Sequence, residues 1–149
     1  MQKKLFTIVL FVLSFSLMSQ KKNNDTQSVI TTIENYFYGY IERDIDKLNT
    51  AFDIENGTMK IMSKDKDGKE SFQNEYFKNI IPKWATKDAM SPETLKKCSL
   101  KILNLDITED TMGVAKIEMK LGKATYIDML CLQKLNGDWK ITNKFYLAK

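Results

Sequence analysis

The 149-residue chain carries 23 Lys and Arg against 19 Asp and Glu, with two cysteines and no histidine. The lack of histidine removes the commonest general acid or base, Ser-His and Cys-His nucleophile pairs, and most zinc sites. Without Lys3 and Lys4 of the leader, 21 basic residues face 19 acidic ones, a net charge of +2, and only Arg43 is an arginine. That composition argues against nucleic acid as a partner.

The first residues read as a targeting segment. Lys3 and Lys4 form a short positive region, LFTIVLFVLSFSLM is an apolar run, and polar QKKNND follows at once. The run is shorter than the ~20 apolar residues of a membrane span and suits a cleaved signal peptide over residues 1–20. The rest, residues 21–149, is long enough to close one core. It has no second hydrophobic segment, so the expectation is a secreted or periplasmic protein with no membrane contact after cleavage.

Asp25 or Thr26 is expected to cap a helix running to about Glu42. Its apolar stripe is Val29, Ile30, Ile33, Phe37, Tyr40 and Ile41, flanked by Tyr36 and Tyr38. Asp44 reads as a fresh N-cap for IDKLNTAF, with Leu48 and Phe52 inward. Residues 58–70 read as a small hairpin around KDKDGK, a weak calcium-loop echo better explained as a polar turn. Ser71 is expected to cap a helix bearing Phe72, Tyr76, Phe77, Ile80, Ile81 and Trp84. Ser91-Pro92 suits one short helical turn. Arg43, between the first two helices, is expected to pair with a nearby carboxylate.

From Cys98 the period changes. CSLKILNLDI, MGVAKIEMKL, ATYIDMLCLQKL and DWKITNKFYLA are strand-like runs joined by short loops, as in an antiparallel meander. Cys98 and Cys131 fall on strands separated by a third, about 10 Å apart, too far for a disulfide. The first of these strands is apolar on both parities and has no clear orientation. If Gly122-Lys123 and Asn136-Gly137 are two-residue loops, Asp128 opposes Ile117 on one side and Phe145 on the other, and Leu130 opposes Asn143. Asp128 and Asn143 then share an inward face with Tyr126, Trp139 and Phe145. Lys140 and Lys144 fall on a wet outer face that carries an apolar island of Ile127, Met129 and Cys131. The whole is an α+β pattern, helices first and sheet last.

This order of elements, with IENYFYGYIERDIDKL early, an aromatic EYF segment in the middle and YIDMLCLQKLNGDWKITNKFY at the end, resembles the nuclear transport factor 2-like superfamily, which includes SnoaL-like proteins. Within it, the chain is similar to the putative lumazine-binding group of small bacterial proteins. The resemblance implies a cone-shaped fold with N-terminal helices on a curved, mostly antiparallel sheet. It also implies a pocket against the concave face and a homodimer through the other. The fold hosts isomerases, dehydratases, hydrolases and binding proteins, so activity must be argued from the site.

Asp128, a carboxylate on an apolar and partly enclosed face, is the one residue with a chemical assignment: ligand contact, or proton transfer as a general base of an isomerase- or cyclase-type enzyme. Tyr126, Asn143, Tyr36 and Tyr40 are the expected hydrogen-bonding companions, with Trp84 and Trp139 as aromatic walls. No second acid is placed beside Asp128, which favours binding of a small apolar or aromatic ligand over turnover. No metal or cofactor is implied. A plain dimerisation module built on the apolar island is the third alternative.

Overall fold

Two periodicities divide the chain, and each builds one layer. A computed structural model describes residues 25–149; the expected leader of residues 1–20 lies outside them. Helix α1 covers residues 25–42, followed by α2 (Ile45–Ala51), β1 (Thr58–Lys64), β2 (Glu70–Tyr76), α3 (Phe77–Ala85), α4 (Pro92–Leu95), β3 (Ser99–Thr108), β4 (Met112–Leu121), β5 (Ala124–Leu135) and β6 (Asp138–Ala148). The six strands form one sheet in the order β2-β1-β6-β5-β4-β3. Every neighbouring pair is antiparallel except β1 with β6. This is the α+β arrangement expected from the sequence, and no helix among the described residues is long and apolar enough to cross a membrane.

Local chemistry sets the helix ends. Asp44 caps α2, its Oδ1 accepting from the backbone N–H groups of Asp46 and Lys47 at 3.0 Å. Ser91 caps α4, with Pro92 at the first helical position. Asp25 is already helical rather than a cap. Arg43 takes a left-handed φ of 63° as α1 ends, and the Asp44 N–H reaches back to the Gly39 carbonyl at 3.0 Å. Its guanidinium donates to the Tyr40 carbonyl and, at 3.2 Å, to that of Asp88, so the expected carboxylate pairing is corrected to backbone capping.

The helix expected after a Ser71 cap begins five residues later, at Phe77 with Tyr76 in the cap position. Residues 70–76 instead extend the hairpin, pairing with β1 from Lys64↔Glu70 to Thr58↔Tyr76. Phe72 and Tyr76 lie four residues apart, a spacing that puts side chains on one side of a helix and of a strand alike. The hairpin turn is held by Asp65, whose Oδ1 accepts from the N–H groups of Asp67 and Lys69. Gly68, at φ 80°, completes it.

The meander confirms one loop register in full and interrupts the other. Leu121 pairs with Ala124, and Met119↔Tyr126, Ile117↔Asp128 and Ala115↔Leu130 follow as expected. Asn136 and Gly137, at φ 53° and 94°, form the two-residue turn of the last hairpin, and pairing runs as expected from Leu135↔Asp138 to Leu132↔Ile141. A β-bulge at Thr142 then shifts the ladder, so Cys131 faces Asn143, Leu130 faces Lys144, Met129 faces Phe145 and Asp128 faces Tyr146.

The bulge lies where β6 changes its second neighbour. The Ile141 carbonyl accepts from the Asp53 N–H at 3.0 Å, whereas Asn143 onward pairs with β1. The Thr142 hydroxyl donates to the Cys131 carbonyl at 3.4 Å. Beyond the bulge every side chain changes face relative to the unbulged register. Lys144 is buried, Phe145 is 44 % exposed, and Asn143 turns away to donate to Thr58 Oγ1 at 2.9 Å. The expected inward placement of Asn143 and Phe145, and the wet placement of Lys144, are thereby corrected.

A second bulge explains the strand that had no legible orientation. Leu103 is the extra residue between Ile102↔Ile117 and Asn104↔Lys116. Leu100 and Ile102 before it, and Leu105 and Ile107 after it, all pack on the core, while Leu103 is exposed. Cys98 and Cys131 are free thiols. The core itself is the stripe of α1 together with Leu48, Phe52, Phe77, Ile81 and Trp84, laid on the inner residues of β4, β5 and β6.

Candidate functional site

Asp128 is wholly buried in the middle of β5. A carboxylate there needs compensation for its lost hydration. The fold supplies it from two elements. Lys144, brought inward by the bulge and 4 % exposed, forms an ion pair with Asp128 Oδ2. Tyr36, on the inner stripe of α1, donates its phenolic O–H to the same oxygen at 2.8 Å. Among the described residues, Asp128 Oδ1 is a buried side-chain oxygen with no hydrogen-bond partner.

These groups form the floor of a cavity of about 200 Å³. Its walls are Tyr40 and Trp84 on the helical side, Met59 and Ile61 from β1, and Met119, Tyr126 and Tyr146 from the sheet. The aromatic groups brace one another. Tyr36 stacks on Trp84 at 6.1 Å between ring centroids, Tyr40 meets Trp84 edge-on at 5.4 Å, and Tyr126 meets Tyr146 at 5.9 Å. Lys144 Nζ lies 5.2 Å from the Tyr36 ring centre and 4.9 Å from that of Tyr146, a cation held between two π-faces. At the exposed edge, Lys87 donates to the Tyr40 hydroxyl at 3.4 Å.

Burial shapes the acid-base behaviour of the cluster. Desolvation holds the Lys144 ammonium below its ordinary 10.5, with the Asp128 charge and hydrogen bond opposing the shift. Desolvation, and then the Asp128 charge, push the Tyr36 phenol well above 10.0. Tyr146 is raised as well, again chiefly by burial. The site is an aromatic-walled pocket around one ion pair, with one carboxylate oxygen that has no partner among the described residues.

Of the residues singled out in the sequence, Asp128, Tyr36, Tyr40, Trp84 and Tyr126 line this cavity. Asn143 does not, because of the bulge. Trp139 lies at the other end of β6, its indole N–H donating to Asp25 at 3.1 Å and its carbonyl accepting from Thr32. There Lys134 completes an ion pair with Asp25. Sequence reasoning missed Lys144, Tyr146 and Lys87. The signal that could have found Lys144 was electrostatic: a buried Asp128 demands a cation, and Lys144 is the nearest on the facing strand once a one-residue bulge is allowed.

No group of three or more Cys, Asp or Glu side chains among the described residues is arranged to hold a metal ion. Asp65, in the calcium-like turn, is instead occupied by its own backbone.

Comparison with known proteins places the fold. A family described as "Putative lumazine-binding" matches residues 24–147. Among solved structures, an NTF2-like protein of unknown function from Shewanella baltica OS155 superposes with a TM-score of 0.66 at 19% identity, covering 85% of this chain and 94% of that one. Another from Methylobacillus flagellatus KT gives 0.65 at 20% identity, over 85% and 93% of the two chains. A third, from Silicibacter pomeroyi DSS-3, gives 0.66 at 14% identity, over 86% and 98%. No curated protein matches the sequence at a significant level.

The buried pair makes two predictions. Lys144→Met removes the cation that partners the buried Asp128 carboxyl group, and should cost roughly 3–5 kcal/mol in chemical denaturation. The double variant Asp128→Leu/Lys144→Met should recover most of that loss. A single variant as mild as an exposed lysine change, within about 0.5 kcal/mol, would contradict the pairing. The second prediction concerns alkaline pH. Native Tyr36 keeps its proton above pH 10 while the unfolded chain releases it, so this group's contribution to stability is complete below 10 and falls as pH rises. Lys144 acts in the opposite sense: the native state releases its proton first, and stability rises with pH between its lowered value and 10.5. Spectrophotometric titration should therefore show a late phenol that Tyr36→Phe removes, with a shallower loss of stability above pH 10. Tyrosines titrating as one ordinary class would contradict it.

Proposed function

The chain belongs to the putative lumazine-binding family, and from that premise we propose that it is an exported binding protein holding one small, mostly apolar or aromatic molecule in the cavity above Asp128. One observation carries this reading. Asp128 lines the cavity, and its Oδ1 is buried with no hydrogen-bond partner among the described residues. Such an oxygen is costly to bury unless a donor meets it. An O–H or N–H on a ligand seated against the aromatic walls would meet it. The cavity, at about 200 Å³, lies below the ~300–1,000 Å³ common for drug-sized ligands, which points to a single-ring or short-chain molecule.

Tyr36, Tyr40, Tyr126 and Trp84 serve as walls in this reading, with Tyr146 beside them and Lys87 at the mouth. The ion pair and the Tyr36 hydrogen bond both fall on Asp128 Oδ2. That arrangement suits holding a ligand donor better than removing a substrate proton, which weighs against an isomerase or cyclase with Asp128 as free general base. Export to the periplasm or medium rests on the apolar leader at residues 1–20 and its polar flanks.

A homodimer accompanies this reading, favoured by the outer sheet face. The bulge that buries Lys144 leaves Phe145 and Leu147 beside Met129 and Ile127. Leu147 is 58 % exposed. Contiguous apolar surface of this kind marks protein interfaces, and a second copy of the chain is the natural cover.

Native mass spectrometry of protein purified from its own host should show one co-purified small molecule. Asp128→Asn, checked for a retained fold, should weaken that molecule's binding about tenfold or more. Affinity within about twofold of wild type would remove Asp128 from the site.

A further inference from the structure

Lys144 is the residue whose environment asks for more than a structural role. Surface lysines are strongly hydrated, protonated and poor nucleophiles, whereas a lysine amine in a dry apolar pocket becomes reactive toward carbonyl carbon. Lys144 is 4 % exposed, lines the cavity, and is paired with the Asp128 carboxylate. The groups facing it are Asp128 from β5, Tyr36 from α1 and Tyr146 from its own strand.

We propose that Lys144 captures a small aldehyde or ketone in this cavity as a reversible iminium, so that the ligand class of the pocket is a single-ring or short-chain carbonyl compound. The inference rests on the pocket reading and deepens it. The chemistry balances within the groups present. The Lys144 ammonium passes one proton to Asp128, leaving a neutral amine and a neutral carboxyl. The amine nitrogen attacks the carbonyl carbon, the C=O π-bond breaks, and transfer of a proton from nitrogen to oxygen gives a neutral carbinolamine. The Asp128 carboxyl then protonates the carbinolamine hydroxyl, the C–O bond breaks, and water leaves. The products are an iminium cation on Lys144 and the Asp128 carboxylate, with the starting charge balance intact and no oxidant or reductant consumed.

The surroundings fit each stage. Asp128 Oδ2 accepts from the Tyr36 hydroxyl at 2.8 Å, a contact that does not involve the amine. Oδ1 has no partner of its own among the described residues, and in the proposed capture it accepts from the carbinolamine O–H. The iminium inherits the ammonium's position between the Tyr36 and Tyr146 rings and beside a carboxylate, an environment that stabilises a cation.

The test uses protein purified from its host, benzaldehyde as the probe and cyanoborohydride at neutral pH to trap any iminium, followed by peptide mapping. A benzyl adduct on Lys144, forming about tenfold or more faster than on exposed Lys101 or Lys120, supports the proposal. Lys144→Arg retains a cation beside Asp128 without a lysine amine. It should lose that adduct while keeping the wild-type circular dichroism spectrum. Benzyl alcohol, which has the ring without the carbonyl, is run in parallel by ligand-observed NMR. If benzyl alcohol binds and Lys144 is labelled no faster than exposed Lys101, carbonyl capture is overturned and the pocket reading stands. If neither molecule binds or reacts, both are overturned.

Discussion

The structure turns on one constraint: a carboxylate in the middle of a buried strand must be matched by a cation. Asp128 sits where hydration is lost, and isolated burial of its charge would cost several kcal/mol even after relaxation. The match comes from Lys144 on the neighbouring strand. In a regular hairpin running back from Asn136-Gly137, Lys144 would point to the opposite face. The bulge at Thr142 turns it inward, so a local backbone irregularity and a buried ion pair are two sides of one arrangement.

The same shift couples the two faces of the sheet. Turning Lys144 and Tyr146 inward obliges Phe145 and Leu147 to turn out, where they widen an apolar patch that already included Ile127 and Met129. Pocket chemistry and outer-face hydrophobicity are therefore not independent features of this chain. Replacing Lys144 with an apolar residue would alter the pocket. Straightening β6 beyond Thr142 would reverse both faces at once.

Much of the fold was legible because short loops and side-chain periods leave few alternatives. Gly122-Lys123 fixed every pairing between β4 and β5, and Asn136-Gly137 fixed the first part of the last hairpin. Asp44 and Ser91 marked their helix starts through side-chain capping. What stayed hidden were the places where a local rule is interrupted by a distant partner. The bulge at Thr142 coincides with the point where β6 passes from Asp53 to β1 as its neighbour, and no pattern within the strand announces it. Leu103 hides in the same way, since its bulge makes one strand look apolar on both faces. Phe72 and Tyr76 misled because a four-residue spacing serves helix and strand equally. At the site, the carboxylate and most of the aromatic walls could be read from the sequence, but the cation could not.

The most direct measurement is the register of β5 against β6 by cross-strand NMR contacts. A bulged β6 gives backbone contacts linking Leu130 with Lys144 and Asp128 with Tyr146. Contacts linking Leu130 with Asn143 and Asp128 with Phe145 would show an unbulged strand, place Lys144 on the outer face, and contradict the buried pair on which the site depends.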